Sequence, residues 1–197
     1  EKSENLKGKI VLVFQPSEEG GGGADAMLSS GVKTDYDYFY SLHLCLNYNG
    51  KMMKTGMIAG GCNDFLDNRR YDVYFEGKSA HPGGEAQKGK NALLAACTAA
   101  LNLHAIAPHD EGLMRINVGQ IEAGIARNVI APNAKLVMEA RGENDNIAEY
   151  ANKRCKKVIK GAAAIHDVDY KIKSQGMTPS AKSDEEAIKL VREAIKD

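Results

Sequence analysis

The sequence predicts two parts, an α/β domain and a small α+β domain inserted into it. Three observations carry that prediction. A short branched apolar run, Ile10-Val11-Leu12-Val13-Phe14, leads through a glycine loop into a helical pattern, the succession of a strand, loop and helix in an α/β sheet. From about residue 64 the pattern changes to half-buried strands and amphipathic helices in the order strand–helix–strand–strand–helix–strand, the ferredoxin-like βαββαβ arrangement. Thr178-Pro179-Ser180 then breaks the chain before a last helix that is expected to return to the first part. The expected boundaries are residues 1–62 for the α/β part, 63–176 for the insertion and 177–197 for the return.

Taken in order, residues 10–14 read as a buried strand and the segment near 22–30 as a helix stopped by Gly31. Tyr38-Phe39-Tyr40-Ser41-Leu42-His43-Leu44 reads as a second, aromatic-rich strand, and Met52 to Gly60 as a third strand or an extended hairpin. In the insertion, Tyr71, Val73 and Phe75 share one face of a strand. Asn91 to Ile106 reads as a helix with Leu94, Cys97 and Leu101 at core spacing. Met114, Ile116 and Val118 alternate with Arg115 and Asn117, and Leu136, Met138 and Ala140 with Lys135, Glu139 and Arg141. Ile147, Ala151, Cys155, Val158, Ala162 and Ile165 make the stripe of a second long helix, and Val168, Tyr170 and Ile172 mark a fourth strand. With one apolar face per strand, both helices belong on one side of the sheet and the other side stays open. Ser183-Asp184-Glu185-Glu186 reads as a capped start to the final helix.

The chain of 197 residues carries 26 basic and 26 acidic side chains and no basic block, which argues against nucleic acid or an anionic membrane as a partner. No apolar run reaches transmembrane length and no signal peptide opens the chain. Cys45, Cys62, Cys97 and Cys155 follow no zinc-finger or disulfide spacing, so a reducing, cytoplasmic location is expected. The chain opens at Glu1-Lys2-Ser3 and runs at once into a buried-type strand, which suggests a fragment.

Chemistry is concentrated first at Gln15-Pro16-Ser17-Glu18-Glu19-Gly20, where two adjacent carboxylates sit between a strand end and a glycine loop. Ligands bind at such strand ends in open α/β sheets. One acid of a pair can ligate a metal while its neighbour moves protons. A solvated acidic loop favouring a helix dipole is the plainer reading, and the pair alone leaves both open. A phosphate loop is set aside, because no Gly-Lys-Ser/Thr ending follows.

Glu18-Glu19, His43, Ser79-Ala80-His81-Pro82, Arg127-Asn128-Val129-Ile130 and Arg141-Gly142, in this order and spacing, change the weighting. Together they resemble the metal-dependent aminoacylase and carboxypeptidase-G-like family of amidohydrolases, nearest its aminobenzoyl-glutamate and indole-acetyl-amino-acid hydrolase branch. The run from Arg115 to Gly124 and Gly161-Ala162-Ala163-Ala164 are close to the aminobenzoyl-glutamate type. The resemblance implies an α/β catalytic domain of the phosphorylase/hydrolase-like kind with two divalent metal ions, zinc or manganese, and an inserted lid that pairs two protomers into a homodimer. Mapped by motif, Glu18 would be the general base, Glu19 and His43 metal ligands, His81 a catalytic group acting in the partner's site, and Asn128 and Arg141 substrate contacts. The substrate would be an N-acyl or N-aroyl amino acid, with p-aminobenzoyl-glutamate the best single choice. The family's remaining ligand motifs, a His-x-Asp type upstream and a histidine downstream, have no counterpart here, so the metal site is expected to be incomplete in this chain. His104, His109 and His166 are expected to be surface or packed residues. Proline follows Asn128 one position later than the family usually places it, at Pro132. The alternative is a non-catalytic dimerisation or binding module.

Overall fold

The structure, a computed structural model, describes residues 7–18, 22–44, 47–48, 50–61 and 64–195, and the chain divides into two units, Glu1–Leu44 and Cys45–Asp197. In the first unit, helix α1 (Gly23–Ser29) forms where the glycine loop leads into Ala24-Asp25-Ala26-Met27-Leu28. The strands expected at 10–14 and 38–44 are not formed: neither segment joins a β-ladder among the described residues, and Phe14 and Leu42 are exposed. A strand is stable only as part of a paired sheet, so branched apolar residues by themselves do not make one.

The second unit opens with a tight hairpin, β1 (Asn47–Tyr48) against β2 (Lys51–Met52), turned by Gly50 at φ 75°. The strand expected from Met52 to Gly60 is therefore confined to its first residue. The short strand β3 (Asp64–Phe65) precedes β4 (Asp67–Glu76). Helix α2 (Ala92–His104), strands β5 (Met114–Ala123) and β6 (Asn133–Gly142), helix α3 (Asp145–Ile165) and strand β7 (Asp169–Thr178) follow. The four ten-residue strands form one antiparallel sheet in the order β5-β6-β4-β7. In β5, a one-residue register shift between Val118 and Gln120 moves the inward phase from Met114, Ile116 and Val118 to Ile121 and Ala123. This bulge keeps apolar residues on the same face along the strand.

That face carries Val73, Phe75, Leu136, Met138 and Ala140, buried under α2 and α3. Helix α2 differs from expectation. Its buried face is Ala92, Ala95, Ala96, Ala99 and Leu103, while Leu94 and Leu101 remain 47% and 75% exposed and Cys97 also faces outward. Two stripes of the same period lie on this helix; the alanines let it close against α3 and the sheet, which bulkier leucines would prevent. The α3 stripe holds from Ile147 through Ala151 and Cys155 to Ala162, but Ile165, at the last turn, is exposed. Burial pushes the Cys155 thiol up to about 12.

A buried network joins sheet and helix: Arg69 pairs with Asp67 on its own strand and with Glu149 on α3, and the Tyr71 hydroxyl donates to Asn152. Asn144 caps α3, accepting from the Asn146 and Ile147 amides, and Asp145 accepts from Ser180. Strand β8 (Ala181–Lys182) pairs antiparallel with β3, so the two ends of the sheet-and-helix region lie side by side. Asp184 caps α4 (Glu185–Ala194) by accepting from the Ala187 amide, within the start read from the sequence. Ile188 of this helix packs on Gly61, where a Cβ would come within 2.8 Å, and Arg192 donates to the Gly60 carbonyl. The division between the units thus falls at 44/45, with segment 50–61 and α4 in the same unit as the sheet.

Candidate functional site

In the first unit, Gly23 is buried, and a Cβ there would lie 1.7 Å from the Pro16 carbonyl oxygen, so this close approach requires glycine at this position. Ser17, next to Glu18, is in the left-handed region at φ 51°, a costly conformation for a residue with a Cβ. Glu18 is exposed; Glu19 lies outside the described residues. His43 is exposed, with Nδ1 2.6 Å from the Leu44 carbonyl oxygen. Among the described residues no three histidine, cysteine or carboxylate side chains gather into a cluster able to hold a metal.

In the second unit, two of the expected residues come together at one end of the sheet. His81 lies in the loop after β4, which is pinned at its base by Lys78 and Lys90 exchanging backbone hydrogen bonds. Asn128 lies in the loop before β6. The Ile130 amide donates to the Ala80 carbonyl at 3.0 Å, and Ile130 also packs near Gly89 and Ala80, which joins the two loops. Both side chains are exposed. The Gly83 amide donates to His81 Nδ1 at 3.1 Å. A neutral imidazole whose Nδ1 accepts carries its proton on Nε2, so the free side of the ring is a donor.

Arg141 is at the other end. It is the penultimate residue of β6, eight residues beyond Asn133, on the face away from the helices. At about 3.4 Å per residue, this places it roughly 27 Å along the strand from the loop that carries Asn128. Its terminal nitrogen pairs with Glu139 at 2.9 and 3.1 Å, while its Nε has no partner. Asn68 and Arg115 stand on either side of it in the register, and Arg70 stands opposite Glu139. These three neighbours were not picked out from the sequence as site residues; the signal available there was the polar phase of alternating strands. A groove of about 590 Å³ at this end is lined in part by Leu66, Met114, Arg115, Asn117, Glu139 and Arg141.

Midway along the open face, the Asp72 carboxylate accepts from Lys135 at 2.9 Å, from Gln175 at 2.9 Å and from the Tyr74 hydroxyl at 3.3 Å. The Lys135 hydrogen bond holds this carboxyl below the usual carboxylate range, against the opposing effect of burial. The remaining histidines are engaged in packing. His104 accepts from the Val118 amide, His166 bonds Thr98, and His109 accepts from the Glu111 amide with its ring against Tyr150.

Residues 68–167 match the family model described as Peptidase dimerisation domain. The chain is 42% identical over 179 residues to indole-3-acetyl-aspartic acid hydrolase of Enterobacter agglomerans, covering 91% of this chain and 40% of that protein. It is 43% identical over 171 residues to a p-aminobenzoyl-glutamate hydrolase subunit from Escherichia coli, covering 87% and 38%. Among solved structures, an aminobenzoyl-glutamate utilization protein from Klebsiella pneumoniae matches with a TM-score of 0.74 and 41% identity, over 91% of this chain and 44% of that one. The chain thus spans about two fifths of the length of these relatives.

Proposed function

Because the chain belongs to the peptidase dimerisation domain family, we propose that the complete enzyme carrying it is an amidohydrolase of N-acyl or N-aroyl amino acids, p-aminobenzoyl-glutamate first among them. Within it, the sheet with its two helices is read as a ferredoxin-like lid that pairs two copies, and the segments before and after as parts of an α/β catalytic domain. The observation that carries the reading is the separation of the lid's own residues. His81 and Asn128 sit at one end of the sheet and Arg141 at the other, roughly 27 Å away along one strand. No N-acyl amino acid spans a distance of that order, which supports a reading in which a second copy supplies one of the two groups.

A pairing surface is available. Helix α2, which packs against the edge strand β5, carries exposed leucines, and β5 has a free edge. Across such a pair, Arg141 of one protomer would hold the substrate carboxylate by its guanidinium. His81 of the partner subunit would donate Nε2–H to the oxygen of the attacked carbonyl, and the Asn128 amide would add a polar contact. Glu18 is assigned the proton transfers at the water and the departing amine. Metal dependence, with two zinc or manganese ions and with Glu19 and His43 among their ligands, belongs to this proposal, as does a cytoplasmic location; no step is assigned through the metals. No described helix is long and apolar enough to cross a membrane.

The test is release of p-aminobenzoate from p-aminobenzoyl-glutamate by the complete enzyme, before and after chelation. The expected result is turnover that chelation abolishes and zinc or manganese restores. A metal-replete enzyme with no turnover would leave the second reading, a pairing module without catalysis, which the outward α2 leucines favour.

A further inference from the structure

Among the described residues, the buried side-chain nitrogen and oxygen atoms without a hydrogen-bond partner are Asn68 Oδ1, Arg70 Nε and Arg141 Nε. All three belong to one patch of the open face, because Asn68 stands opposite Arg141 and Arg70 opposite Glu139 across β4 and β6. Buried polar atoms are ordinarily paired, and a cluster of orphans needs a cause. The charges point the same way. Arg115 stands directly opposite Arg141 on the far side, with Cβ atoms about 5 Å apart, where like charges destabilise an antiparallel pair. Three guanidiniums, those of Arg70, Arg115 and Arg141, surround one carboxylate, Glu139, which Arg141 already binds. Arg70 and Arg115 have no ion pair among the described residues.

The patch therefore carries a surplus of two positive charges on a face that buries no apolar core. Core packing does not call for it, and cross-strand repulsion opposes it. A ligand with two carboxylates would offset that charge through the solvent-facing guanidiniums, of which Arg115 is exposed and the Arg141 side chain is 42% exposed. The adjoining groove of about 590 Å³ takes Arg115, Asn117, Glu139 and Arg141 as part of its lining. The rest comes from Leu66, the end of α2 and the loop after it, and Met114 and Ile116 of β5. Its volume is within the size range of small-molecule sites.

We propose that Arg70 and Arg115, flanking Arg141, receive a second carboxylate, so that the enzyme selects conjugates of dicarboxylic amino acids over neutral ones. The inference rests on the amidohydrolase reading above: Arg141 takes the main-chain carboxylate, and its two neighbours take that of the side chain. Guanidinium pairs with carboxylate in a charge-assisted fork, and a neutral side chain would leave these cations unpaired. Selectivity then comes from the penalty on the wrong substrate as much as from attraction to the right one.

The experiment compares kcat/KM of the complete enzyme on p-aminobenzoyl-glutamate and p-aminobenzoyl-glutamine. The wild-type enzyme is expected to prefer the glutamate conjugate. In the double variant Arg70→Met/Arg115→Met that preference should fall about 10- to 100-fold, mainly through KM. The double variant Arg70→Lys/Arg115→Lys should keep most of it, and circular dichroism and elution volume check that both variants fold. An unchanged preference in the methionine variant, or an equal loss on both conjugates, would overturn the inference while leaving the amidohydrolase reading intact. So would a wild-type enzyme that hydrolyses both conjugates without preference. Hydrolysis of neither would remove the functional reading itself, and this inference with it.

Discussion

Mixing two defective enzymes should restore activity if the lid works across a dimer. In the variant His81→Ala the exposed imidazole whose Nε2–H faces outward is lost. Removing one oxyanion donor typically lowers turnover about 10²–10³-fold. In Arg141→Met the guanidinium at the other end of the sheet is lost, and one charge-assisted contact is worth about 10- to 100-fold in kcat/KM. If each site draws Arg141 from one protomer and His81 from its partner, a heterodimer of the two variants holds one site with both residues intact and one with neither. Random exchange of equal amounts makes about half the dimers heterodimers, so about a quarter of the wild-type sites are restored. The mixture should therefore reach about 25% of the wild-type rate at low substrate, while either variant alone stays at or below about 10%. The assay is p-aminobenzoate release after exchange of protomers, with exchange verified by co-purification of differently tagged chains. Proven exchange with a rate no higher than the mean of the two variants would refute the trans arrangement. The roughly 27 Å separation would then need another explanation.

Other perturbations test separate parts of the structure. Arg141→Lys keeps the charge but not the planar fork, and should raise KM for substrates with a free carboxylate while leaving thermal stability unchanged; an unaltered KM would return Arg141 to its Glu139 pair. Leu101→Glu, on the outward face of α2, should weaken dimerisation about 10- to 100-fold in sedimentation equilibrium and lower activity with it, and an unaffected dimer would move the pairing surface elsewhere. Asp72→Asn tests the open-face network through pH. Because the Asp72 carboxyl is held below its ordinary range, its contribution is complete above the unfolded value of about 3.9 and is lost as pH falls through the lower folded value. The Tm gap between wild type and Asp72→Asn should be full near neutrality and close below about pH 4; a gap that persists in strong acid would refute the linkage.

The expected site residues were legible to different depths. His81 and Asn128 could be named from their motifs, yet nothing along the chain between them shows that Ala80 and Ile130 bond and hold the two loops together. Arg141 could be placed on the polar face by alternation alone. That it shares that face with Arg70 and Arg115 depends on which strands are neighbours and in what register, which are long-range facts. The apolar runs at 10–14 and 38–44 have strand composition, but without ladder partners among the described residues they form no strands.

The sequence by itself determined the order and type of elements from Asp67 to Thr178, because period-two and helical periods are written residue by residue and each must bury one face. It also determined the start of α4, since an Asp184 cap acts within a single turn. Tertiary structure alone decided which face of α2 is core. Leu94, Cys97 and Leu101 share the helical period of the alanines, and periodicity cannot tell two stripes apart when both are apolar. The choice was made by fit: alanines allow α2 to close on α3 and the sheet, and the larger side chains are left outside. The separation of His81 and Arg141 was decided in the same way, by the length of β6, which has the His81 loop near one end and Arg141 near the other.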